Sequence, residues 1–169
     1  VPELVTDRLL LRGLTPEGAG DIAPLVNDWE VARYTSHIPH PYTVQMADEF
    51  IAAQAEAPET GSKVFAVLLR GERKLIGCVG LHREMGANHG ELGYWMGRKY
   101  WGQGYASEAV QRVVDYAFND LGMAELEAAE DLEDLGVHAA ALELLHGGLG
   151  RGEHVGFNLR LRAADLILA

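Results

Sequence analysis

The sequence predicts an α+β fold: a mixed, mostly antiparallel sheet with helices beside it. Three observations carry that reading. Apolar runs at Val64 to Leu69 and Leu75 to Leu81 are separated by the polar turn Arg70-Gly-Glu-Arg-Lys74, the pattern of an antiparallel hairpin. Two helical segments precede these strands. A further strand-like run, Gly90 to Met96, leads through a glycine-rich turn into an amphipathic helix and then a last strand.

Element by element, Leu9 to Leu11, flanked by Arg8 and Arg12, reads as a short strand. Thr15-Pro16-Glu17 has the N-cap residue and the proline at the first helical position, and Ile22, Leu25 and Val26 supply helical apolar spacing. Trp29 to Tyr34 fits a second short helical turn, ending in the loop His37-Ile-Pro-His-Pro-Tyr42. Thr43 is placed to cap a helix reaching about Ala55, and Ala57-Pro-Glu-Thr-Gly61 breaks it. After the hairpin and Gly90 to Met96, a helix is expected from Ser107 to Asp120. Its face of Ala109, Val110, Val113, Val114, Ala117 and Phe118 is apolar, with Gln111, Arg112 and Asp115 opposite. Met123 to Ala129 alternates Leu126 and Ala128 with Glu125 and Glu127, as a strand does.

At 169 residues, 48% hydrophobic and 23% charged, the chain has the make-up of one globular domain spanning residues 1 to 169. The formal charge of -11 disfavours nucleic acid and favours cationic partners such as amines and basic peptides. No apolar stretch approaches the roughly 20 residues of a membrane span, so no membrane association is expected. The single cysteine, Cys78, lies between Ile76 and Val79 and reads as a buried core thiol, compatible with a reducing cytoplasm. The seven histidines show no metal-ligand spacing, so no metal is expected.

The turn Trp101-Gly102-Gln103-Gly104-Tyr105-Ala106, continued by Ser107, has the character of a phosphate cradle. Its glycines permit a tight backbone with inward N–H groups, and the following helix offers its partial positive end. A P-loop would need a lysine after the second glycine, and there is none. A dinucleotide-binding fingerprint fits Gly102 and Gly104, with Glu125 or Glu127 as the distant acid. It lacks the third glycine, where Ser107 stands, and five residues intervene after the strand.

The same turn resembles the acetyl-CoA pyrophosphate loop of the GNAT superfamily, Gln/Arg-x-x-Gly-x-Gly/Ala, with Trp101 at the Gln/Arg position and Gly104 and Ala106 as expected. Glu91-Leu-Gly-Tyr-Trp-Met, Tyr100 to Ala109, Thr6-Asp-Arg-Leu-Leu-Leu-Arg12, Leu14 to Glu17 and Trp29 to Tyr34 resemble its RimJ/RimL-like branch, which acetylates ribosomal-protein N-termini. The resemblance covers roughly residues 5 to 129. It implies a sheet splayed between the family's fourth and fifth strands, here Gly90 to Met96 and Met123 to Ala129. It also implies acetyl-CoA as co-substrate and a primary amine as acceptor, either a peptide or protein N-terminus or a small molecule. A monomer or homodimer is expected. The alternative is a catalytically silent acyl-CoA-binding domain.

Under this resemblance, the backbone of Tyr94, Trp95 and Met96 would pair with pantetheine and supply the oxyanion N–H, and Trp101, Gly102, Gln103, Gly104, Tyr105, Ala106 and Ser107 would hold the pyrophosphate. Glu91, at the start of the same strand, is the candidate base. A lysine amine of pKa about 10.4 costs roughly 4–5 kcal/mol to deprotonate at neutral pH, whereas an α-amine near 7.8 costs only about 1. His37, His40 and Tyr42 fall where the family's substrate-facing loop lies. From about residue 130 the chain departs from the family. Asp134 and Val137 stand near its usual Asn and Ser, no tyrosine follows Tyr116, and His138, His146 and His154 are the nearest titratable substitutes for an acid. The second glycine-rich stretch, His146 to His154, reads as a turn.

Overall fold

The computed structural model describes residues 1–33, 35, 38–56, 61–84, 86–127 and the backbone of 128 and 159–162. One sheet organises them, in the order β1-β2-β3-β4-β5-β6-β7. The strands are β1 (Leu4–Val5), β2 (Leu9–Gly13), β3 (Lys63–Leu69), β4 (Lys74–His82), β5 (His89–Met96), β6 (Glu125–Ala128) and β7 (Leu159–Arg162). All neighbours run antiparallel except β5 and β6, which are parallel. The predicted α+β class and mixed sheet therefore hold, and a doubly wound dinucleotide-binding sheet does not.

Helices α1 (Ala19–Val26), α2 (Trp29–Ala32) and α3 (Val44–Glu56) follow β2, and α4 (Tyr105–Asp115) connects β5 to β6. Strand alternation sends the two faces of the sheet into separate cores. On one side, Leu9, Leu11, Phe65, Val67, Val79, Leu81, Leu92 and Met96 pack with Ala109, Val110, Val113 and Val114 of α4. On the other, Ala66, Leu68 and Leu75 pack with Ile22, Ala23 and Val26 of α1 and Ala47 and Ile51 of α3. Cys78 is 3% exposed, and burial pushes its thiol pKa well upward, so it is a core residue as expected.

Several boundaries move. Thr15 does stand at the N-cap before Pro16, but a 3-10 turn (Pro16–Gly18) precedes α1 and the threonine side chain makes no capping bond. Thr43 does cap: its Oγ1 accepts from the Met46 N–H at 3.2 Å. Helix α4 starts at Tyr105, two residues before the expected Ser107, because the left-handed Gly104 (φ +77°) turns the chain directly into the helix. Its far end loosens into a π turn, Tyr116–Asp120. Strand β7 adds an edge pairing with β6 that the sequence pattern did not announce. The readings placed on Tyr34, His37, Asp134, Val137, His138, His146 and His154 lie outside the described residues.

Candidate active site

The glycine-rich turn hangs from the end of β5. A 3-10 turn, Arg98–Tyr100, carries the chain off the strand, and the Trp101 indole Nε1 donates to the Met96 carbonyl at 2.7 Å, fastening the turn back to the strand. Trp101 thus has a structural bond where the family motif has Gln or Arg. Gly102 (φ +69°) and Gly104 (φ +77°) both occupy the left-handed region, and the space beside Gly102 is open. Within α4 the Glu108 N–H is the first to reach back one turn, donating to the Gly104 carbonyl at 3.1 Å. The N–H groups of Tyr105, Ala106 and Ser107 precede it and have no acceptor in the helix. Their partial positive charge faces the turn, an arrangement with the electrostatics of an anion site. Ala106 and Ser107 are themselves buried, and the Gln103 side chain donates to the Lys99 carbonyl at 2.9 Å.

The turn is braced by residues that local sequence pattern did not single out. Arg8, at the start of β2, donates Nε to Glu108 Oε2 at 2.6 Å and Nη1 to the Gln103 carbonyl at 2.8 Å. Its guanidinium lies 4.5 Å from the centroid of the Tyr105 ring. The Arg8 backbone N–H donates to Glu108 Oε1 at 3.0 Å, and the Thr6 hydroxyl donates to the same oxygen. Burial pulls the Glu108 pKa upward, but these donors together outweigh it, and the carboxyl is held below its ordinary value. The only hint in sequence was that Thr6 and Arg8 belong to the N-terminal segment resembling the family's opening.

Beside the turn lies the parallel pairing of the sheet. Among the described residues β6 pairs with β5 from His89 to Leu92. The Gly97 N–H donates to the Ile76 carbonyl at 2.8 Å, and Met96 lies opposite Gly77. Backbone groups of a strand alternate in direction, so those of Trp95 and Gly93 face β4 and those of Tyr94 and Met96 face the β6 side. Of the three residues expected to pair with an extended ligand, Tyr94 and Met96 therefore turn their backbone groups away from β4, and Trp95 turns its own toward β4. The Tyr94 phenol is pushed up to about 12 by burial and stays protonated at any ordinary pH. The Trp95 side chain packs against the opposite core, as do Leu25, Ile38 and Tyr42.

Glu91 lies on the same face as Trp95, opposite His82 on β4 and Glu127 on β6. It is exposed. The expected substrate loop is a loop: His40 meets the Trp29 ring edge-on at 5.2 Å, and the Tyr42 N–H donates to Asn27 Oδ1 at 3.0 Å. Among the described residues no set of three His, Cys, Asp or Glu side chains is placed to hold a metal ion, and no helix is long and apolar enough to cross a membrane.

A mostly antiparallel sheet with one parallel pair, and a left-handed glycine turn leading from the strand of that pair into a helix, defines the class by its fold. The chain belongs to the GNAT acetyltransferase family, whose domain model, "Acetyltransferase (GNAT) domain", matches residues 8–144. It is 31% identical over 132 residues to the uncharacterized N-acetyltransferase p20 of Bacillus licheniformis, covering 78% of this chain and 74% of p20. A Vibrio cholerae structure described as that of a ribosomal-protein-serine acetyltransferase matches with TM-score 0.66 and 28% identity, over 84% of this chain and 81% of its own. Mycobacterium smegmatis RimJ, solved with CoA-disulfide, shares the fold at TM-score 0.72 and 15% identity, over 94% and 83% of the two chains. The Vibrio cholerae neighbour supports the RimJ/RimL-like grouping, and the RimJ structure shows the shared fold.

Proposed function

We propose that the chain is one acetyltransferase domain that transfers the acetyl group of acetyl-CoA to a primary amine in the cytoplasm, with a peptide or protein N-terminus as acceptor. The observation that carries this reading is the juxtaposition of the left-handed turn Gly102–Gly104, open at the helix end, with the backbone groups of Tyr94 and Met96 that face away from β4. The cradle fits a diphosphate, because a side chain at either glycine would be strained and the N–H groups beyond them lack helical acceptors. Trp101, Gly102, Gln103, Gly104, Tyr105, Ala106 and Ser107 would hold it. When bound, acetyl-CoA supplies the activated carbonyl carbon.

The chain's own contribution is placement and proton handling. The Tyr94 and Met96 backbone groups would hold the extended arm beside β5 as an added strand, with an N–H aimed at the developing oxyanion. Glu91 is the carboxylate that draws the amine's surplus proton, directly or through an intermediary. The ribosomal-protein neighbour supports a protein N-terminus as acceptor, as does the low cost of freeing an α-amine, about 1 kcal/mol at neutral pH.

Calorimetry with acetyl-CoA, followed by a screen of peptide and small amines that monitors CoA release, tests the proposal. Saturable acetyl-CoA binding with turnover of N-terminal peptides is the expected result. Binding without turnover of any amine would mark a silent acyl-CoA-binding domain, and binding of nicotinamide dinucleotide in place of acetyl-CoA would overturn the cofactor assignment.

A further inference from the structure

The face of the sheet that carries Glu91 and Trp95 also carries a histidine that its sequence position does not advertise. Strand β4 ends at His82, which lies opposite Glu91, while Gly80 lies opposite Gly93. Hydrogen-bonded opposite pairs sit about 5.5 Å apart between Cα atoms and share a face. His82, Gly80, Gly93 and Glu91 therefore form one four-residue patch, and two of its corners have no side chain.

The imidazole fills that bare floor. A methyl group added at Gly80 would lie 2.6 Å from His82 Nε2, 3.2 Å from Cε1 and 3.4 Å from Cδ2, and one added at Gly93 would lie 4.0 Å from the same Nε2. The ring thus folds back along β4, with its base level with Glu91 and its Nε2 tip over the Gly80 and Gly93 pair. Among the described residues the last β5–β6 pair is Leu92 with Ala128, next to Gly93. The Nε2 tip lies at Gly93, on the side of the glycine-rich turn, and Glu91 is one step further back. Glu127 lies beyond Glu91 on the same face, and Tyr42 and Trp95 border the face toward α3.

We infer that His82 is a catalytic residue, the intermediary that takes the proton from the acceptor amine at Nε2 and passes one from Nδ1 toward Glu91. This rests on the acetyltransferase reading above. As the amine nitrogen bonds to the thioester carbonyl carbon and the carbon–sulfur bond breaks, the surplus amine proton moves to Nε2, the departing thiolate takes a proton from water, and the exposed Glu91 releases the relayed proton to the hydroxide left in solvent. The bare floor is part of the device, since any side chain at Gly80 would displace the tip.

Three variants test this with the CoA-release assay and acetyl-CoA calorimetry. His82→Gln should lower kcat by about 10²–10⁴-fold, the range of general-base loss, with acetyl-CoA affinity unchanged. Gly80→Ala keeps the imidazole but moves it, and should lower kcat at least tenfold in a protein whose far-ultraviolet spectrum and acetyl-CoA affinity match the parent. His82→Gln combined with Glu91→Gln should be no slower than the slower single variant, because one relay is broken only once. Parental kcat in His82→Gln, parental kcat in Gly80→Ala, or additive losses in the double variant would each overturn the relay while leaving the acetyltransferase reading intact. A parent that binds acetyl-CoA but acetylates no amine would overturn both.

Discussion

Glu108 and Glu91 flank the same strand-and-turn unit, and the fold treats them in opposite ways. Glu108, in the first turn of α4, receives hydrogen bonds from Thr6 and from both the backbone and guanidinium of Arg8. The Glu91 side chain, on β5, is exposed and makes no hydrogen bond or ion pair with the described residues. A carboxylate whose lone pairs are committed to donors holds structure and resists protonation, whereas one left open is available to a transferred proton. Two acids of the same type thus differ by surroundings alone, one a brace and the other the proton acceptor of the proposed function.

The largest effect is expected at the open carboxylate. Glu91→Gln should lower kcat by about 10²–10⁴-fold with acetyl-CoA affinity nearly unchanged. The loss should shrink as pH rises, because more of the amine is then already free, and it should be smaller for an α-amine than for a lysine, whose pKa values differ by roughly three. Parental rates from about pH 6 to 9, a window around the α-amine pKa, would reduce Glu91 to a surface carboxylate and collapse the contrast.

Next comes the turn between the two. Gly104→Val forces a β-branched side chain into φ +77°, at a strain of about 1–2 kcal/mol. It also crowds the Arg8 guanidinium, whose Nη2 would lie 3.3 Å from the new Cβ. Acetyl-CoA affinity should fall at least tenfold by calorimetry; unchanged affinity in a folded variant would remove the diphosphate from this turn.

A smaller loss is expected at the brace. Arg8→Gln removes a charge-assisted pair whose side chains are 46% and 19% exposed, so solvent screening limits its contribution to stability to about 1 kcal/mol. Acetyl-CoA should bind several-fold more weakly, with kcat at saturation retained. A kcat loss as large as that of Glu91→Gln would mean that brace and catalyst are not separable.

The smallest effect is in acid. Because the Glu108 pKa is lowered by folding, its contribution to stability is fully present above the unfolded value, near 4.5, and is lost as pH falls through the lower folded value. Glu108→Gln should therefore lower the melting temperature at pH 7 and bring it closer to the parent's as the pH drops below that window. An equal deficit at every pH would assign the effect to packing.

The parts of this fold legible in sequence were those written locally. The hairpin at Arg70 to Lys74, the Thr43 cap and the apolar face of α4 each lie within a few neighbouring residues, and the structure places them as read. The start of α4 was read two residues late because Ser107 has the chemistry of an N-cap, while Gly104 does the work through its backbone angle. Arg8 and Glu108 are 100 residues apart, so no window of sequence joins them. His82 was equally silent: its position matters only because register sets two glycines beneath and beside the ring. Trp101 was legible as a departure from the motif, but its bond to the Met96 carbonyl, which explains an aromatic there, required coordinates.

The burial of Cys78 has a practical corollary. It is the chain's single cysteine, it sits in the middle of the sheet, and its thiol is held protonated. A thiol-reactive dye added to the folded protein should therefore be silent until an acyl thioester releases its sulfhydryl, so colour counts turnovers without a protein blank. Unfolding exposes Cys78 and adds one slow equivalent. The same reagent then reports, in one cuvette, whether a damaged variant has lost chemistry or has lost its shape.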